Sequence, residues 1–299
     1  MTAPPPRRSR VRRRSLRNAA HYPALLAGAL LTGLVVTVAL LNERLAPGYV
    51  FATSAADRLS PPSVDHVMGT DQLGRDLFTG VVRGAHTSLG VVAGVVVIAA
   101  VIGVVVGALS ALRGGVVDDV VLRVIETVQT VPRFFLAVLV VGWFGPGTPV
   151  TVLLGLTSWP FLARVVRAET LSLRERAFVE AARAAGAGDL RVLVRHVVPN
   201  IVPGAAVVLA LVGSRVVLLE AGLAFLGLAD ANVASWGALV NNAQPYLATA
   251  WWMSVFPGGA IAVTVLGMNL LSDGLAGLAD PMSAAHERRW RGGESSLGG

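Results

Sequence analysis

Asp71, Arg75 and Asp76 crowd into one short polar segment and could be taken for a catalytic acid–base cluster. The rest of the 299-residue chain gives such a cluster nothing to work with. It contains no Cys, which excludes thiolate metal sites, Cys nucleophiles and disulfides. There is no Gly-x-Ser-x-Gly elbow and no His inside an apolar span, so a membrane-embedded hydrolase lacks the nucleophile and base it needs. His21, His66, His86, His196 and His286 are scattered and make no metal-ligand spacing. All 25 basic residues are arginine. Without lysine no P-loop can form, so the chain cannot act alone as a conventional ATPase. Asp71, Arg75 and Asp76 therefore read as a loop held by local pairing.

Charge set among apolar residues says more. Asp119, Arg123, Glu126, Thr130 and Arg133 recur at steps of four and three, which puts them on one face if 118–144 is a single helix. Charge in lipid is costly, so that face is expected to turn to the bundle interior, a water-filled path or the membrane surface. A competing reading makes this a surface helix that enters the membrane only at Phe134. Arg215 and Glu220 fall in or near a later apolar run, too far apart around a helix for an ideal intrahelical pair. Glu126, Arg133 and Arg215 are the candidates for lining a translocation path, with pairing inside the bundle or with a partner chain the alternative for Arg215. An ion relay along the stripe would suit a secondary transporter.

A different kind of site lies at Glu180-Ala-Ala-Arg-Ala-Ala-Gly186, followed by Ala-Gly-Asp-Leu-Arg-Val-Leu-Val-Arg and His196-Val-Val-Pro199. Glu180 to Ala185 are helix formers, Gly186 suits a C′ position with positive φ, and Asp189 suits an N-cap. Pro199 is expected to end the second short helix and open the next apolar segment. A helix–Gly–helix knuckle is a shape for docking, because Ala181, Ala182 and Gly186 allow close approach. Arg183, Arg191 and Arg195 could meet acids on a partner, and they equally fit a topology signal.

The elements that must position these groups are membrane spans. The chain is 54% hydrophobic and 14% charged, with mean hydropathy +0.66, against about 25% charged in soluble domains. Apolar runs at about 23–41, 87–112, 149–166, 201–219 (or on to Leu228) and 251–271, with the ambiguous stretch ending at Phe144, predict six transmembrane helices and an all-α polytopic protein. The first run is longer than a signal-peptide core and no small-x-small cleavage site follows it directly, so it reads as a retained span. With 1–21, 113–123, 164–200 and 281–299 on one side, 19 of the 25 arginines share it. The positive-inside rule makes that side cytoplasmic, both termini included. The basic start then orients the chain and meets anionic lipid; it is not a nucleic-acid arm, despite a net charge of +7. The Gly90/Gly94 and Gly103/Gly107 pairs are weak helix-packing signals, and 282–299 reads as a disordered tail.

The 180–199 spacing resembles the Glu-Ala-Ala loop of ABC importer permeases, with His196 where that pattern often has an aliphatic residue. Gly69-Thr-Asp-Gln-Leu-Gly-Arg-Asp76, Phe225-Leu-Gly-Leu228, Ser235-Trp-Gly237, Phe256-Pro-Gly258, Asn269-Leu-Leu-Ser-Asp-Gly274 and Asp280-Pro281 occur in the order and spacing of one branch. About residues 20–281 are similar to the C-type permease of dipeptide, oligopeptide and nickel ABC importers. Ala229-Asp230 stands where that family usually has another Gly, and Arg133 and Arg215 are not positions where it carries charge. The resemblance implies a type I importer fold with cytoplasmic coupling helices. It divides the chain into a basic arm (1–21), a first helix and extracytoplasmic loop (22–83), a five-helix core (84–273) and a cytoplasmic tail (274–299). It further implies a second homologous permease, two ATPase subunits (or one dual-ATPase chain) that hold the ATP and Mg, and an extracytoplasmic binding protein, in a bacterial inner membrane. Glu180, Ala181, Ala182, Arg183, Gly186, Asp189 and Pro199 would couple this chain to the ATPase. Peptide is the default substrate, with nickel chelates, opine-like and other small solutes open.

Overall fold

The structure is a computed structural model that describes residues 23–47, 53–145, 150–228, 230 and 233–279, with backbone alone at Arg183, Asp189 and Leu190. The expected basic arm (1–21) and tail (282–299) lie outside the described residues, as do Ala229 and Asp280-Pro281. Among the described residues there is no strand, only an isolated bridge between Thr70 and Asp76. Five helices are long and apolar enough to cross a membrane. They are built on α1 (Pro23–Leu40), α2 (Leu77–Arg113), α5 (Val150–Arg174), α7 (Val198–Phe225) and α9 (Trp252–Ala279), with α3 (Gly115–Thr130) and α4 (Arg133–Phe144) between α2 and α5. The α3–α4 pair is bent by 72° and makes a sixth crossing if taken as one broken span. Two shorter helices, α6 (Ala177–Ala184) and α8 (Trp236–Ala243), sit at opposite ends of the bundle.

The bend corrects the expected continuous third span. Val131 is extended (ψ 123°) and Pro132 follows at φ −64°. Proline lacks an N–H and pushes the residue before it out of helical geometry, so the ladder stops there. Arg133 thereby leaves the face it was expected to share with Asp119, Arg123, Glu126 and Thr130. Those four are exposed, and the residues α3 buries are Asp118 and Ile125.

Close helix approach sets the core. A Cβ on Gly103 or Gly107 would meet α5 backbone, at 3.0 Å from the Trp159 carbonyl and 2.5 Å from that of Ala163. Gly94 faces Thr151, whereas Gly90 faces open space, so of the two glycine pairs Gly103/Gly107 is the one packed throughout. At 37 residues α2 runs about 55 Å, well beyond an apolar layer of about 30 Å, and it starts ten residues before the expected Thr87. Its extension is held by Arg83, which donates to the Ala46 carbonyl (3.1 Å) and Asn42 Oδ1 (3.2 Å).

The end of the bundle that carries α8 is tied by side-chain-to-backbone bonds. Asp76 caps α2 by accepting from Thr79 N–H at 2.8 Å, and Asp71 Oδ1 accepts from the N–H groups of Leu73 and Arg75 at 2.7 and 2.9 Å. The apparent acid–base cluster is thus a loop clasp. Ser235 caps α8, and buried Trp236 donates its indole N–H to the Val81 carbonyl at 2.9 Å. Trp252 does the same to Thr70 at 3.0 Å. Glu220 is buried and accepts from Ser88 at 3.2 Å, while Ser88 accepts from the Trp236 N–H. That carboxylate joins α2 to α7 and α8.

Candidate functional site

At the other end, the eight residues of α6 form a short surface helix. Val179 is fully buried, while Glu180, Ala181, Ala184 and Ala185 are exposed and Ala182 is half-buried. The helix stops because Gly186 takes φ +84°, and the Ala187 N–H reaches back to the Ala182 carbonyl at 3.0 Å. That six-to-one bond is the signature of a Schellman cap, whose left-handed residue is best supplied by glycine. Open space surrounds the position a Gly186 Cβ would occupy, so the conformation alone calls for glycine.

Beyond Gly186 the chain departs from the two-piece expectation. The next turn opens at Asp189, and the Gly188 carbonyl accepts from Arg191 and Val192. The cap position therefore falls to Gly188, not Asp189. Asp189–Val192 then passes through a wide π turn, Leu193–Val197, straight into α7. Pro199 ends nothing: it occupies the first turn of α7, where a missing N–H costs little. The Asn200 side chain covers the His196 carbonyl at 2.6 Å. Leu193–Phe225 is one 33-residue apolar helix; it starts eight residues before the expected Ile201 and ends between the two expected limits, Leu219 and Leu228.

The knuckle is seated by apolar contact. Val179, Val192, Leu193 and Val197 join Leu112, Leu162, Val166, Leu173 and Ile201 in one buried cluster. Phe178 meets the His196 ring at 6.0 Å between centroids, a contact that nothing in the sequence signalled. Arg191 and Arg195 remain exposed above this seat. The same end gathers Arg174, which donates to the Ala111 carbonyl (3.0 Å), and a two-bond pair from Arg167 to Asp118 at 2.6 and 2.5 Å. The exposed small residues of α6 thus lie on an apolar seat, at the end of the bundle where Arg191 and Arg195 are also exposed.

The candidate path residues separate. Arg133 and Arg215 converge on one ring, their guanidinium carbons 4.3 and 5.1 Å from the centroid of Phe161. Glu126 is exposed on α3 and forms no ion pair among the described residues. Phe161 had no sequence signal. Ser158, which takes a 3.4 Å bond from Arg133, did have one: a small polar residue inside an apolar helix beside Pro160. No group of three or more potential metal ligands occurs among the described residues.

Residues 103–283 match the family described as binding-protein-dependent transport system inner membrane component. A putative peptide transport system permease protein of Brucella suis biovar 1 (strain 1330) is 39% identical over 85% of this chain and 86% of its own length. The nickel transport system permease protein NikC of Escherichia coli (strain K12) is 35% identical over 84% and 92%. The dipeptide transport system permease protein DppC of Bacillus subtilis (strain 168) is 33% identical over 86% and 81%. Family match and helical architecture agree: the chain belongs to the binding-protein-dependent transport system inner membrane components, as an all-α, multi-pass permease of the type I ABC importer fold.

Proposed function

We propose that this permease is one of two homologous membrane subunits of an ATP-driven importer. Together they form the path for peptides, or a related small solute, handed over by an extracytoplasmic binding protein. Hydrolysis takes place in two separate ATPase subunits, which hold ATP and Mg2+; this chain is not an enzyme. The observation that carries the reading is the exposed, Schellman-capped α6 on its buried apolar seat at the arginine-rich end. A rigid helix set in a groove between two closing lobes converts their approach into rotation of the spans. Glu180, Ala181, Ala182, Arg183 and Gly186 make the contact, with Asp189 and Pro199 continuing it into α7. The knuckle end is cytoplasmic and the α8 end extracytoplasmic, with both termini on the cytoplasmic side of a bacterial inner membrane.

Peptide is preferred as substrate because two of the three relatives above are named for peptide or dipeptide transport. Reconstitution tests the reading. The chain alone hydrolyses no ATP; with a second permease and two ATPases in lipid, hydrolysis rises on adding loaded binding protein. ATPase activity from this polypeptide alone, or no stimulation of the complete assembly, overturns it.

A further inference from the structure

The midmembrane arginines have a chemistry of their own. Phe161 lies close to the midpoint of α5, and Arg215 projects from the central part of an otherwise apolar helix with its side chain exposed. An arginine facing acyl chains is costly, so that surface opens on water or on another chain. Neither guanidinium forms an ion pair with an acid among the described residues. Arg133 has one long bond, to Ser158, and its Nη2 is buried without an acceptor. Arg215 contacts the Phe161 ring and makes no side-chain hydrogen bond among the described residues. The Phe161 ring attracts both cations through cation–π contact, which offsets part of their desolvation but does not neutralise them. The break at Pro132 also makes Arg133 the first residue of a 12-residue helix. The free N–H groups of that terminus carry positive partial charge at the same depth.

Two like charges, an unsatisfied donor and a helix N-terminus meet here, and one ligand chemistry answers all of them. We propose that Arg133 and Arg215, spaced by Phe161, form a carboxylate-binding station within the translocation path. This inference rests on the permease reading above and adds a substrate class: solutes that present a carboxylate, as the C-terminus of a peptide does. A guanidinium fork bonds a carboxylate in two parallel contacts, and the buried Nη2 of Arg133 gains an acceptor by swinging toward one beside Arg215.

The test uses the permease pair in lipid nanodiscs, without binding protein, so that only the path selects. N-acetyl-dialanine and its C-terminal amide are titrated by saturation-transfer NMR. The carboxylate binds the wild-type pair more tightly than the amide, and Arg215→Gln or Arg133→Gln weakens it roughly tenfold, the scale of one lost charged hydrogen bond. Arg133→Lys keeps the charge without the fork and falls between. Equal binding of acid and amide to the wild-type pair, or an unchanged preference in both Gln variants, overturns the station. So does the alternative in which an acid of the second permease neutralises the arginines. The wild-type pair then shows no preference, and the Gln variants co-purify poorly with that subunit. Hydrolysis stimulated by binding protein, measured on the same wild-type assembly, separates the failures. Its loss counts against the permease reading, whereas its presence without acid preference counts against the station alone.

Discussion

Gly186 stands at φ +84° with nothing near its missing Cβ, so a side chain there meets backbone strain and no clash. Gly186→Val costs about 1–2 kcal/mol locally. We predict that it inserts and pairs with the second permease normally but binds the ATPase weakly or lets hydrolysis run without uptake. Glu180 is exposed, so Glu180→Lys changes folding stability by less than about 0.5 kcal/mol, yet it reverses the charge on the docking face. Uptake and ATPase assays on both variants check this; transport at the wild-type rate in both removes α6 as the coupling element. A third substitution tests stability alone. Asp118→Asn halves the two-bond pair with Arg167 and should cost about 1–3 kcal/mol in detergent unfolding, more than Asp119→Asn on the exposed face. At this scale the sequence was readable where backbone conformation dictates residue type, as at Gly186. It was silent where side chains distant in sequence meet, as at Arg133 and Arg215 over Phe161 or Phe178 against His196.

Elements were legible in proportion to their apolar length. The long spans stood out as hydrophobic runs, and their true ends lay beyond them because capping and polar contacts, not hydropathy, decide where a helix stops. Leu77–His86 belongs to α2 on the strength of the Asp76 cap and the Arg83 bonds. The α3–α4 break was written in Pro132, but a charge periodicity that ran across it suggested one helix. Pro132→Ala tests which influence holds the bend. With spin labels at exposed Val124 and Leu139, the separation should lengthen as the 72° angle opens. An unchanged distance would mean that packing on α5, and not the proline, sets the angle. Gly107→Leu probes the close approach of α2 to the α5 backbone. Its Cβ would stand 2.5 Å from the Ala163 carbonyl, so the helices must part, at a cost of about 1–3 kcal/mol in thermal unfolding.

For the molecule as a whole, orientation follows from where arginines gather. Reporter fusions at 114–115 should report cytoplasm, and fusions near Ser60 and Asn242 the outside. An external 170–199 segment would leave α6 out of reach of any cytoplasmic ATPase. The unbroken passage through Pro199 has a mechanical meaning. A hinge at that proline would let the knuckle swing while the membrane helix stayed still. Instead the π turn carries Asp189–Val192 into Leu193–Phe225, 33 residues or about 50 Å of helix, with Arg215 on the same piece. Under the proposed coupling this helix is a drive shaft: a roll imposed by a partner at its knuckle end re-aims the Arg215 cation about 20 residues along.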